Sequence, residues 1–199
     1  MPPKAKFTRD DIILAAMQIV QEQGPEAVTS RELGKKLGSS ACPVFTAFKN
    51  MEEVNEEVKK SAKALYKEYV KEGLKQELAF KGVGSAYIKF AIKEPKLFQL
   101  LFMKEKVEPT DIEHTLKSID ENYEDILKSV QEPYGLQLED AKKLYQHLWI
   151  YTHGIATLCA TKVCIFSGEE IQTMITEVFM SIFEKMKGSK ANDTNREHS

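Results

Sequence analysis

The residues best suited to do chemistry lie between Arg31 and Lys49, and that chemistry is recognition rather than bond making. On a short helix opening at Ser40, the positions Ala41, Cys42, Phe45, Thr46 and Lys49 fall on the side opposite Val44, Ala47 and Phe48, which face a small core. Ser39, Ser40 and Pro43 sit at the helix start, and Arg31 lies on the helix before it. Hydroxyls, an aromatic ring and two cations on one surface can meet base edges and phosphate oxygens. In a helix-turn-helix the outward, N-terminal part of the second helix enters the major groove. The candidate DNA contacts are therefore Arg31, Ser39, Ser40, Ala41, Cys42, Pro43, Phe45, Thr46 and Lys49.

Two short helices around a glycine turn must hold these residues. Thr29 caps the first, and Glu32 at its N3 position makes a reciprocal capping box. Leu33 and Leu37 share a face, Gly34 lets the second helix pass close by, and Gly38 takes the left-handed turn that ends the helix. Ser40 is the next N-cap, with Pro43 in the first turn, where a missing amide hydrogen costs little. Upstream, Thr8 and Asp11 form another capping box before Ile12, Ala15, Ala16, Ile19 and Val20, and Gly24-Pro25 stops that helix. This first helix supplies an apolar floor for the other two.

The segment from Phe7 to about Asn55 resembles the N-terminal domain of the TetR family of one-component repressors. The stretches that carry the resemblance are Ile12 to Gly24, Thr29-Ser30-Arg31-Glu32-Leu33-Gly34, and Gly38-Ser39-Ser40 running to Phe45 and Phe48-Lys49-Asn50. The resemblance implies an all-α protein with an N-terminal three-helix DNA-binding domain followed by a C-terminal helical ligand-binding and dimerisation domain. The chain departs from the family at Phe45, where Tyr is usual, at Ala47, where His is common, and at Met51, where Lys is usual. Two customary phosphate anchors are thereby missing, and Lys49 stands in a position to replace part of them.

Charge limits how the head can bind. Through Asn55 the basic residues are Lys4, Lys6, Arg9, Arg31, Lys35, Lys36 and Lys49, and the acidic ones are Asp10, Asp11, Glu22, Glu26, Glu32, Glu52 and Glu53, so the two sets cancel. Sequence-blind affinity comes mostly from phosphate neutralisation and counterion release, so a neutral head binds bulk DNA weakly. Useful affinity then needs a homodimer on a palindromic operator.

A chain of 199 residues with 42% apolar and 29% charged residues has room for a small head and a helical domain of ordinary size. Its net charge of −2 excludes a polycationic coat protein. Lys4, Lys6 and Arg9 before an apolar run faintly resemble a signal peptide, but Asp10, Asp11 and Gln18 interrupt it, so a cytoplasmic protein without membrane association is expected. Cys42, Cys159 and Cys164 form no CxxC pair. His114, His147, His153 and His198 lack ligand spacing with them, so neither metal nor cofactor is expected. Cys159 and His153, six apart on a helix, point away from each other, and no carboxylate pair or phosphate loop appears, which argues against an enzyme.

Beyond Asn55 nearly every segment reads as helix. A long one is predicted from Glu52 to about Leu78, with Val54, Val58, Ala62, Leu65, Tyr69 and Val70 inward, and Pro95 opens another carrying Leu97, Phe98, Leu101 and Phe102. Thr110 and Glu113 predict a capping box before a single stripe of Ile112, Leu116, Ile119, Tyr123, Ile126 and Val130, ended by Pro133 to Gly135. Two final helices, from about Glu139 to Val163 and after Ser167-Gly168, carry broad apolar stripes whose natural outlet is self-association. The resemblance implies that these two pair with their symmetry mates, placing Ile155, Leu158, Met174, Val178, Phe179 and Ile182 at a dimer interface. Trp149-x-x-x-His153-Gly154 also resembles a subtype of the family's C-terminal domain with a Trp-His-Gly signature.

A small-molecule effector site is expected from Tyr87, Phe98, Leu101, Phe102, Tyr123, Trp149 and His153, which supply aromatic surface with a few polar groups. The same residues sit at helical spacing and would serve equally well in a solid core. The domain organisation predicted is 1–55 for the helix-turn-helix head, 56–187 for the ligand-binding and dimerisation domain, and 188–199 for a disordered polar tail. The reading is a ligand-responsive regulator. A helical lipid- or ligand-binding protein of the same fold that has lost DNA binding is the alternative.

Overall fold

The computed structural model describes residues 7–105 and 108–196, and for Cys42 and residues 189–196 the backbone alone. Lys4, Lys6, His198 and the end of the expected tail lie outside the described residues. Within the described residues the chain is all α, with no strand. The helices are α1 (Arg9–Gln23), α2 (Ser30–Lys36), α3 (Cys42–Ala47), α4 (Met51–Leu74), α5 (Ala79–Lys93), α6 (Pro95–Phe102), α7 (Ile112–Ile119), α8 (Tyr123–Tyr134), α9 (Leu138–Ala160) and α10 (Gly168–Arg196), with a 3-10 turn at Pro25–Ala27. None of them is long and apolar enough to cross a membrane.

The chain divides into two compact units, Met1–Tyr66 with Phe90–Lys106, and Lys67–Lys89 with Val107–Ser199. A boundary near residue 55 does not coincide with this division. The head gathers in α6 from further along the chain because α6 packs on α1 and on the 3-10 turn. Helices α4 and α5 each give residues to both units.

In the first unit local chemistry sets the elements. Thr8 and Asp11 form the predicted capping box, and Ile12, Ala15, Ala16, Ile19 and Val20 are buried. Thr29 caps α2 by accepting from the Glu32 amide. A Cβ on Gly34 would lie 2.7 Å from the Ser40 carbonyl carbon and oxygen, so the glycine is what lets the turn close. Gly38 has φ +62°, as a left-handed turn requires. The second helix starts one residue later than predicted: Ala41, already in helical conformation, precedes Cys42, and no side chain caps it. Pro43 therefore lies at the second helical position rather than the third. Val44 and Phe48 are buried with Leu33, closing the head's core. Along α4 the buried residues are Val54, Val58, Ala62, Tyr66 and Val70, so Tyr66 takes the place assigned to Leu65 and Tyr69, which are half-buried. Tyr66, Phe90 and Phe102 then form an aromatic cluster, with ring centroids 5.1 to 6.3 Å apart.

In the second unit α9 is the organising helix, with α7, α8 and α10 packed on it. The long helix predicted from Thr110 is broken in two. Asp111, not Thr110, caps α7 by accepting from the His114 amide, and Glu113 pairs with Lys117 instead of closing a capping box. The break falls at Asp120, which is extended and only 3% exposed. Pro133 is accommodated inside α8, and Gly135 at φ +62° ends that helix. Gly82 lies inside α5, where a Cβ would collide with the Gly73 backbone of α4. Ser167 and Glu170 form a capping box at the start of α10, which runs on as helix to Arg196 through the segment expected to be disordered.

Because the neighbours of Gly34 are backbone atoms that cannot rotate away, Gly34→Ala is expected to lower the stability of the chain by about 1–3 kcal/mol, read by urea denaturation followed by circular dichroism.

Candidate functional site

Helix α3 carries most of the residues expected to contact DNA. Phe45 is 51% exposed although it is a large aromatic on a six-residue helix. Arg31, Ser40, Thr46 and Lys49 are exposed with it, and Ser39, Ala41 and Pro43 are half-buried at its edge. The Cys42 side chain lies outside the description. The Thr46 hydroxyl donates to the Pro43 carbonyl at 2.7 Å, which holds it against its own helix.

The cations of the head divide into two groups. Arg9 is spent on architecture: one nitrogen donates to the Ala47 carbonyl at 2.7 Å, another to Glu53 at 2.8 Å, and its guanidinium lies 4.0 Å from the centre of the Phe48 ring. Glu53 also accepts from the Lys49 amide at 2.7 Å, and these two bonds, the amide's first, hold its carboxyl below the usual range. This clamp fixes the end of α3 to the start of α4, and it could not be found from local spacing, since Arg9 and Ala47 are 38 residues apart. Lys36 pairs with Glu22 at 2.6 Å. Arg31 and Lys49, both exposed, remain without an ion pair among the described residues.

The residues proposed for an effector site fall into both units. Phe98, Leu101 and Phe102 belong to the first, where Phe98 is fully buried and its ring centre is 5.1 Å from that of Phe102. Tyr87, Tyr123, Trp149 and His153 belong to the second. There the Trp149 and His153 rings stack nearly parallel, 4.8 Å apart at 13°. The Tyr87 hydroxyl is 2.9 Å from His153 Nδ1. Tyr87 is 2% exposed, and burial raises its pKa well above the ordinary value, with the Asp120 charge adding to the effect. Burial lowers the pKa of His153. Both groups are therefore neutral in the folded protein at neutral pH.

One turn earlier on α9, Tyr145 donates to the Asp120 carboxylate at 2.6 Å in a buried setting, and Tyr123 packs its ring 5.7 Å from that of Tyr145. Among the described residues of this unit three buried polar atoms have no hydrogen-bond partner: Tyr123 Oη, Trp149 Nε1 and Thr157 Oγ1. Trp149, His153 and Thr157 are spaced by four and so form one row on α9. Sequence spacing alone pairs Trp149 with His153; Tyr145, Asp120 and Thr157 escaped it because their roles depend on contacts with distant segments. Of the residues assigned to a dimer interface, Ile155 is only 3% exposed and belongs to the core of its own unit. Leu158 is 36% exposed, and Met174, Val178, Phe179 and Ile182 are half-buried, Phe179 also stacking on Phe183. Ile150, 56% exposed, lies on the outward side of α9 with Gly154.

The two tyrosine hydroxyls should respond oppositely to removal. Tyr145→Phe takes a donor from a buried carboxylate and is expected to cost about 1.5–3 kcal/mol, whereas Tyr123→Phe removes an unsatisfied hydroxyl and should be neutral or stabilising; melting temperatures of the two variants check this. His153 has a folded pKa below its unfolded one, so the unfolded chain binds more protons and stability falls as pH drops through the ordinary histidine value of 6.5. His153→Gln should flatten that part of the stability profile measured by urea titration.

No curated protein sequence matches the chain. Its fold is similar to that of a solved structure of a protein with unknown function from Rhodococcus sp. RHA1, at a TM-score of 0.66 and 16% identity, covering 93% of this chain and 98% of that one. Residues 80–174 match the family model described as the tetracyclin repressor-like C-terminal domain, and this stretch holds Tyr87, Asp120, Tyr123, Tyr145, Trp149 and His153. A helix-turn-helix head thus precedes, in this chain, a stretch similar to the tetracyclin repressor-like C-terminal domain.

Proposed function

We propose that the protein is a ligand-responsive transcriptional regulator that binds a palindromic operator as a homodimer and is released from it by a small effector. The observation that carries this reading is the surface of α3, where Phe45 stands exposed instead of folding into the head, as do Arg31 on α2 and Lys49 just after α3. An exposed aromatic flanked by unpaired cations at the N-terminal side of a second helix suits groove entry with phosphate contacts on either side.

With Arg9 and Lys36 engaged in the fold, few cations are left for phosphates, so one head alone binds weakly. Two heads on two half-sites compensate, and that requires a dimer. The exposed apolar residues Ile150 and Leu158 of α9 and Met180 of α10 supply a face that favours self-association. The effector acts by binding one conformation better than the DNA-bound one, since only differential affinity can shift the equilibrium. Helices α4 and α5, which continue from one unit into the other, are the rigid elements able to carry that shift.

Phe45→Ala and Lys49→Ala are expected to abolish selective binding to DNA flanking the chain's own gene in a gel-shift assay with scrambled competitor. Sedimentation should show the dimer unchanged in both. Loss of the dimer would mean that these residues serve the fold. A stable dimer with no selective binding by the wild-type chain to that DNA or to a random-sequence library would favour a ligand-binding protein without DNA activity.

A further inference from the structure

We infer that Cys159 and Cys164 form a redox-active pair, closed to an intrachain disulfide by exchange with a small-molecule disulfide such as oxidised glutathione and reopened by its thiol. The site lies at the end of α9 and is independent of the DNA-binding reading above. Its geometry comes from how that helix stops. The Leu158 carbonyl accepts from the Val163 amide at 3.0 Å and from the Cys164 amide at 3.2 Å, and the Cys159 carbonyl accepts from the Lys162 amide at 3.0 Å. Lys162 takes the left-handed conformation, φ +59°, at which such a turn reverses the chain. The Leu158 carbonyl carbon is bonded to the Cys159 nitrogen. The Cys164 nitrogen therefore lies within about 5.5 Å of the Cys159 nitrogen, and the two Cα atoms within about 8.5 Å of each other.

A disulfide needs Cα atoms about 4.4–6.8 Å apart, so closure asks at most a small inward shift of the segment that carries Cys164. That segment can give way. Residues 164–167 have no regular secondary structure, and the apolar neighbours Val163 and Ile165 are 68% and 96% exposed rather than packed. Both thiols are half-buried and so within reach of solvent. They also act on each other, since the pKa of Cys159 is raised, first by burial and then by Cys164. Cys159 is therefore the poorer first nucleophile, and Cys164 meets the small disulfide. Its thiolate attacks one sulfur, forming a mixed disulfide and releasing one small thiolate. With Cys164 so engaged, its charge no longer opposes ionisation of Cys159, whose thiolate attacks the Cys164 sulfur and expels the second small thiolate. Two cysteine thiols are oxidised and one small disulfide is reduced to two thiols, which take up the two protons.

Trypsin reads the pair directly, because Lys162 is the one lysine or arginine between the two cysteines: cleavage leaves Cys159 on peptide 144–162 and Cys164 on peptide 163–185. The folded full-length chain, kept dilute, is equilibrated with a series of reduced and oxidised glutathione mixtures. Remaining thiols are alkylated, and the digest is read by mass spectrometry. Two of the three thiols should be lost per chain, with peptides 144–162 and 163–185 joined. The chain should still run as a monomer on a non-reducing denaturing gel, and excess reduced glutathione should undo the link. Cys42→Ser should leave the link intact. Cys159→Ser should lose it and hold glutathione on Cys164, trapping the first step; should that variant not fold, Cys164→Ser, in the irregular segment, must lose the link as well. Separate glutathione adducts on both cysteines of the wild-type chain, a link that forms only in urea, a link between two chains, or three free thiols at every ratio would overturn the inference.

Discussion

The hydroxyl of Tyr145 and the carboxylate of Asp120 meet at 2.6 Å inside the second unit, and much of that unit is arranged around the pair. A carboxylate that is 3% exposed can be tolerated only with hydrogen bonds directed at it. To reach Tyr145, the backbone at Asp120 leaves the helix, which ends α7 and lets α8 begin at Tyr123. Tyr123 thereby packs on Tyr145 and its own hydroxyl is left without a partner. The same carboxylate acts at longer range on Tyr87, helping keep that hydroxyl protonated beside His153. One buried acid thus sits at a helix break, hydrogen-bonded to one of two packed aromatic rings.

The head follows a different economy. Its turn is set by backbone proximity at Gly34 and by the left-handed Gly38, and its outer edge by Arg9, whose guanidinium joins the end of α3 to Glu53 of α4 and covers the Phe48 ring. Arg9 is therefore a structural clasp. Outside this scaffold, Phe45 on the outward face of α3, Arg31 and Lys49 stay exposed.

Both regions place unsatisfied chemistry on rigid helices. On α3 it is exposed and meets water until a partner arrives. On α9 it is enclosed, so the unpaired Trp149 Nε1 and Thr157 Oγ1 carry a standing cost.

The sequence alone determined the features that depend on neighbours within a turn or two: the Thr8–Asp11 capping box, the Thr29 cap, the turn at Gly38, the start of α6 at Pro95, and the inward stripe of Val54, Val58 and Ala62. The Ser167–Glu170 box belonged to the same class, since its Ser-x-x-Glu spacing was present to be read. Only the tertiary structure decided where Asp120 breaks the predicted helix, that Arg9 reaches Ala47, that Tyr66 turns inward in place of Tyr69, that Gly82 marks a close approach to Gly73, and that Ile155 is core. Capping and turn formation are settled by the few dihedrals next to them, so residue type and spacing suffice. Burial of a charge or contact between two backbones depends on which distant segment arrives, and periodicity carries no record of that.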